Sequence, residues 1–182
     1  MEKDKQTSEG SYENPWTYKG STFTSDDINS FFGYVYRITN LQSGRQYIGR
    51  KYFWSKRKPR GGKRRVTSES DWKKYYGSSD ELKADRKLLG NELFKREILS
   101  LHTTLGKVNY AETKELFLNG VLTESLDDGS PAYYNSNILG RYYKKDYFGQ
   151  ETNQGSPEVP SSGEERFKKE PNRDTIKKEG QD

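Results

Sequence analysis

Apolar positions recur with two different periods along this chain, and the change from one to the other marks out its elements. Gly33–Thr39 (GYVYRIT) is dominated by β-branched and aromatic residues, Gln46–Arg50 (QYIGR) is similar, and Ser43-Gly44 lies between them. Residues that suit a pleated surface, interrupted by turn formers, predict a β-hairpin. Leu93–Leu101 alternates in the same manner and predicts a third strand. Between these segments, Ser78-Ser79-Asp80-Glu81 has the spacing of a capping box, and LKADRKLLG after it reads as a short helix stopped by Gly90. Past Gly106, the residues Val108, Ala111, Leu118 and Val121 fall on one face of a second helix over Val108–Leu122. Strand, strand, helix, strand, helix is the order of an α+β fold, here a small antiparallel sheet of about three strands flanked by helices.

The ends read differently. Residues 1–31 are mostly polar, with Trp16, Tyr18 and Phe23 spaced as in an extended segment, and predict an N-terminal arm docked on the edge of the domain. Residues 149–182 contain a single aromatic, scattered Pro and Gly, and six bases against eight acids. Such a composition does not offset the entropy of ordering it, so a disordered C-terminal tail is expected. One domain over 32–148 remains.

Composition narrows the chemistry. Only 29% of the 182 residues are hydrophobic, but 14 Tyr, 8 Phe and 3 Trp supply large rings for a core. Cysteine is absent, which excludes disulfides, thiolate zinc sites and a cysteine nucleophile. A lone histidine, His102, falls short of the two or more that a histidine-metal nuclease needs. No apolar run approaches the ~18 residues of a membrane span, and MEKDKQTSEG has no apolar signal core, so a cytoplasmic protein without a membrane partner is expected.

Tyr36 and Tyr47 stand eleven residues apart on the two paired strands, within GYVYRITNLQSGRQYIG. This segment resembles the signature of the GIY-YIG nucleases, with Tyr34-Val35-Tyr36 in the first slot and Tyr47-Ile48-Gly49 in the second. The likeness continues through Arg57, ten residues after Tyr47, then Gly77-Ser78-Ser79, the Gly90–Phe94 turn and Ile98-Leu99, in the manner of phage homing-type members. It implies a DNA endonuclease that uses magnesium or manganese. Its site would comprise Tyr36, Tyr47, Arg57 on a helix, Glu112 on the last helix as metal ligand, and Asn135 after it. Tyr36 and Tyr47 both stand as candidates for the water-activating phenol. Glu115, one turn on, is the alternative carboxylate, Asn109-x-x-Glu112 also has the spacing of a helix capping pair, and Asn135 also suits a turn. These residue types fit the reaction, since phosphodiester hydrolysis needs an activated water, stabilisation of charge on phosphorus and help for the leaving oxygen.

The net charge of +5 is unevenly spread. From Arg45 to Lys74 there are twelve Lys or Arg against two acids, and KRKPRGGKRR over Lys56–Arg65 holds seven in ten residues. Beside a nuclease motif this predicts phosphate-backbone binding to DNA by Arg50, Lys51, Lys56, Arg60, Lys63, Arg64 and Arg65. A non-catalytic nucleic-acid-binding protein on the same scaffold is the competing expectation.

Overall fold

The computed structural model describes residues 12–58 and 61–149. The tail from residue 150 and the cation Arg60 lie outside the described residues. In chain order the elements are β1 (Thr17–Tyr18), β2 (Ser21–Thr22), β3 (Gly33–Asn40), β4 (Gln46–Tyr52), β5 (Trp54–Arg57), β6 (Val66–Glu69), α1 (Asp80–Leu89), β7 (Phe94–His102), α2 (Leu105–Leu118), β8 (Asn137–Ile138), β9 (Tyr142–Tyr143) and α3 (Lys145–Phe148).

The main sheet has five strands in the order β2-β1-β7-β3-β4, not about three, and it is mixed, because β1 runs parallel to β7. The additional pair comes from the segment ahead of residue 32. Two-residue strands leave no alternation to detect, and Trp16 just before them is fully buried between Tyr34 and Tyr36. The expected hairpin is β3–β4, paired from Gly33 with Tyr52 to Thr39 with Gln46. Helix α1 starts as its capping residues dictate: Ser79 Oγ accepts the Leu82 N–H, and Gly90 ends it with a positive φ of 91°. Helix α2 begins earlier than its apolar face suggested, at a Thr104 cap that accepts the Lys107 N–H.

Strand β3 is buried on both faces, which is why its sequence shows so little polar alternation. Tyr34, Tyr36 and Ile38 face a cluster containing Trp16, Phe53, Trp72 and Leu82. Val35 faces a second cluster with Ile48, Leu116, Val121 and Leu122. Fully burying one such side chain stabilises by roughly 1.5–3 kcal/mol. Arg96 of β7 is also buried, without a carboxylate partner among the described residues; its guanidinium donates to the carbonyls of Asn14, Lys73 and Tyr75 and lies over the Trp16 and Tyr76 rings. A buried cation is tolerated here because its donors are met by backbone oxygens. In return it ties the loop carrying Tyr75 to the sheet.

Strand β4 lies at the edge of the sheet, where unpaired backbone groups need a partner. The segment after α2 covers part of that edge. Gln46 N–H donates to the Ala132 carbonyl at 2.9 Å and Tyr134 N–H to the Gln46 carbonyl at 2.7 Å. Two residues along, Asn135 accepts the Ile48 N–H through Oδ1 at 3.1 Å and donates through Nδ2 to the Ile48 carbonyl at 2.8 Å. The covered edge stops there, and the site begins at the next residues of β4.

Candidate active site

Gly49 of β4 stands directly opposite Tyr36 of β3. A methyl group at Gly49 would lie 2.7 Å from the Tyr36 hydroxyl and 3.0 Å from Cε1 of Tyr47. The glycine therefore makes room for two phenols at one place, their ring centroids 6.1 Å apart. A register shift between Val35 and Tyr36 in the β3–β7 pairing falls at the same point, as bulges often do where a strand must aim a side chain. Gly77, with a φ of 84°, turns the loop so closely under Tyr47 that its own added methyl would meet Cε1 at 2.8 Å. The turn presents Ser78, whose Oγ lies 3.1 Å from the Tyr47 hydroxyl.

From the opposite face of the sheet, α2 brings Glu112 to the β4 edge. Its carboxylate forms an ion pair with the Arg50 guanidinium. Arg50 Nε also donates to the Tyr52 hydroxyl at 3.1 Å, and that hydroxyl donates to Asn109 Oδ1 at 2.6 Å. Asn109 is thus inside the helix and spent on Tyr52, whereas the cap is Thr104, so the capping-pair reading of Glu112 does not describe the structure. Tyr36, Tyr47, Arg50, Lys51, Tyr52, Tyr75, Ser78 and Glu112 line a cleft of about 320 Å3. It adjoins a hollow of about 630 Å3 that shares Tyr47, Arg50, Ser78 and Glu112 and also has Asn135 in its wall.

Burial shapes the charges in this cleft. It pushes the Tyr36 phenol well above its ordinary value, and the neighbouring Tyr47 and Tyr75 phenols add to the shift. It also raises the Glu112 carboxyl, an effect that the Arg50 cation beside it only partly offsets. Glu112 is the sole carboxylate lining the cleft, and among the described residues no three His, Cys, Asp or Glu side chains gather as metal ligands. One carboxylate with phenol and hydroxyl oxygens nearby is a hard donor set. It fits a magnesium-type cation that keeps most of its waters, provided that Arg50 releases the carboxylate.

The residues expected from sequence are not all together. Tyr36, Tyr47 and Glu112 converge. Arg57 does not line the cleft and is not on a helix; it is exposed at the end of β5, in a hairpin. Arg50, expected to contact DNA backbone, is the arginine inside the cleft. Lys51 is there too, paired with Asp71 at 2.7 Å and lying over the Tyr75 ring. Lys56, Lys63, Arg64 and Arg65 are exposed on or beside the β5–β6 hairpin. Glu115 points elsewhere, accepting from the Asn119 amide at 3.1 Å. His102 bonds Ser100 Oγ at 2.8 Å and is absent from the cleft lining. Tyr75, Ser78 and Tyr52 join the site without having been singled out as site residues. Ser78 stood in the Gly77-Ser78-Ser79 segment of the resemblance and Tyr75 in the Tyr75-Tyr76 pair just before it, whereas Tyr52 carried no signal.

Asn135 is positioned as a seal on β4, and a specific outcome follows. Asn135→Ala removes the partners of two buried backbone groups at Ile48, each of which costs about 1–3 kcal/mol when left unsatisfied. Urea unfolding should show a stability loss of about 2 kcal/mol or more.

The family model described as "Putative endonuclease segE, GIY-YIG domain" matches residues 16–138, about two thirds of the chain. No curated protein and no solved structure matches it.

Proposed function

Because the chain belongs to the GIY-YIG endonuclease family, we propose that it hydrolyses phosphodiester bonds of DNA with magnesium or manganese, in a phage DNA-processing or homing-type role. The observation that carries this reading is the convergence of Glu112, Arg50 and two tyrosine phenols on one cleft at the open part of the β4 edge.

The reaction needs a site that stabilises the negative charge building on the phosphate. In the free protein Arg50 and Glu112 neutralise one another. An incoming phosphate offers Arg50 a second oxyanion partner, matched to the planar fork of its guanidinium. Glu112 is then free to hold the cation through its carboxylate, with Ser78 and the phenols as neighbouring oxygen donors. When bound, the metal supplies charge neutralisation on the phosphate and a more acidic water. Tyr36, buried and held neutral, serves as a hydrogen-bonding wall of the site. Tyr47, beside Ser78 in the cleft, then orients the attacking water, a role supported by the 3.1 Å approach of its hydroxyl to Ser78 Oγ.

The test is incubation of the purified chain with supercoiled plasmid, with magnesium, with manganese or with chelator. Nicking that requires the metal supports the proposal, and no nicking with either ion overturns it in favour of a non-catalytic binder. The two arginines should separate in the same assay. At saturating DNA, Arg50→Ala should slow cleavage by about 10²–10³-fold, the usual effect of losing one preorganised donor to a developing oxyanion. Arg57→Ala should chiefly weaken DNA binding and leave the cleavage step at saturating DNA unchanged.

A further inference from the structure

We infer that the β5–β6 hairpin is a two-stranded ribbon that enters the major groove of duplex DNA and reads bases beside the cut. This inference rests on the nuclease reading for its partner, DNA, but concerns a different part of the molecule.

The hairpin forms a sheet of its own, with Trp54 opposite Glu69, Ser55 opposite Ser68, Lys56 opposite Thr67 and Arg57 opposite Val66. Every residue of β6 is exposed, and so are all of β5 except the half-buried Ser55. A pair of short strands uncovered on both faces is marginal in water unless something holds it. Here the root is held. Phe53, the single residue between β4 and β5, is fully buried, stacked on Phe23 at 5.6 Å and against Trp72 at 5.5 Å. Ser70 N–H donates to the Phe53 carbonyl at 2.7 Å, and Ser70 Oγ to the Tyr52 carbonyl at 2.7 Å. Glu69 accepts from Ser25 Oγ at 2.8 Å and from the Trp72 indole. A rigid base with a bare blade is the arrangement of an element that acquires its cover from a partner.

Its chemistry identifies the partner. The tip bears exposed Lys58, Lys63, Arg64 and Arg65, and the blade carries a cation on each face, Lys56 beside Trp54 and Arg57 beside Ser55. Cross-strand Ser68 and Thr67 add hydroxyls, and Val66 and Thr67 add methyl groups. Guanidinium and ammonium donors suit guanine O6 and N7, and methyl groups suit the thymine methyl, all presented in the major groove. Size agrees: four residues of strand extend about 13 Å, and the groove, about 12 Å wide and 8.5 Å deep, admits a β-ribbon. Since β5 follows the cleft strand β4 after one residue, the bases read must lie within a few base pairs of the cut phosphate.

The full chain, in chelator so that no cleavage occurs, is used to select from duplexes with a randomised centre, and the bound duplexes are then tested by methylation interference. We expect a short preferred motif, interference by guanine N7 methylation in that motif, and at least tenfold flattening of the preference by the double variant Lys56→Ala, Arg57→Ala. The triple variant Lys63→Ala, Arg64→Ala, Arg65→Ala should weaken binding to all sequences alike and reduce the log-log salt slope by roughly three. Replacing Ser55–Ser68 by a Gly-Ser turn guards against misreading a local effect. Retention of the same motif by that variant, interference confined to adenine N3 in the minor groove, or tighter binding of single-stranded RNA than of duplex DNA would each overturn the inference. Since no metal is present, a chain that proves inactive but still reads the motif leaves it standing, and an active chain without groove contacts overturns it alone.

Discussion

Glu112→Gln is expected to abolish DNA cleavage, by about 10³-fold or more, because several kcal/mol of metal-based stabilisation depend on one carboxylate. Among the described residues Glu112 is the only acid lining the cleft, and the acids of the adjoining hollow, Asp80 and Glu81, are already paired with Lys83 and with Arg45 and Lys144. The fold should survive, since glutamine keeps the volume and can still accept from Arg50, which is itself partly solvated. Near-native circular dichroism with no nicking in magnesium or manganese is the expected pair of results; appreciable nicking would remove Glu112 from the site. Glu115→Gln, on a side chain already engaged with Asn119, should stay active. The same carboxyl dictates the response to pH. Its acidity is weakened by burial, so it takes up a proton at higher pH than an ordinary glutamate. Only the carboxylate holds a cation, and cleavage should therefore fall on acidification before ordinary glutamates titrate, with excess magnesium moving that limb to lower pH by competition. A rate unchanged down to the usual glutamate range would contradict this.

Gly49→Ala should be nearly as damaging although it adds only a methyl group. The position has no positive φ, so the backbone itself accepts alanine, and the whole effect comes from crowding against the Tyr36 hydroxyl at 2.7 Å and Tyr47 at 3.0 Å. Overpacking of this kind costs about 1–3 kcal/mol. Relief requires that one phenol move, and displacement of a reacting group by about 1 Å can cost 10²-fold in rate. Thermal melting and single-turnover cleavage should both show the loss. Gly106→Ala is the matched comparison: it lies in α2 with open space around it, and should stabilise by up to about 1 kcal/mol without slowing cleavage. Equal behaviour of the two variants would mean that the phenols are not held as described.

What the sequence made legible was whatever local physics decides. The hairpin, the capped helix α1 and the strand β7 each carry their signal within a dozen residues. Strands β1 and β2 were invisible, since two residues have no period, and Trp16 reads as one aromatic in a polar arm until the core that buries it is known. The site divided along the same line. Tyr36 and Tyr47 could be brought together because a hairpin fixes their register, whereas Glu112 came from the family resemblance alone, since its local sequence does not show that α2 packs against that hairpin. Spacing from Tyr47 could not place Arg57, because β4 continues past Phe53 into an independent ribbon rather than into a helix. Arg50 was counted among the backbone-binding cations, and its role in the cleft depends on α2 crossing beneath the β4 edge, a tertiary fact with no local trace.

The seal on β4 has a bearing on how this protein is lost. The segment over 132–135 satisfies the strand backbone at Gln46 and Ile48 and forms one side of the hollow next to the cleft. When it lifts, the two consequences are simultaneous: the site loses a wall, and the unpaired backbone at Gln46 and Ile48 is offered to any other copy in the same condition. Heat inactivation should accordingly be irreversible and faster at higher protein concentration, governed by the lifting of a few residues rather than by unfolding of the aromatic core.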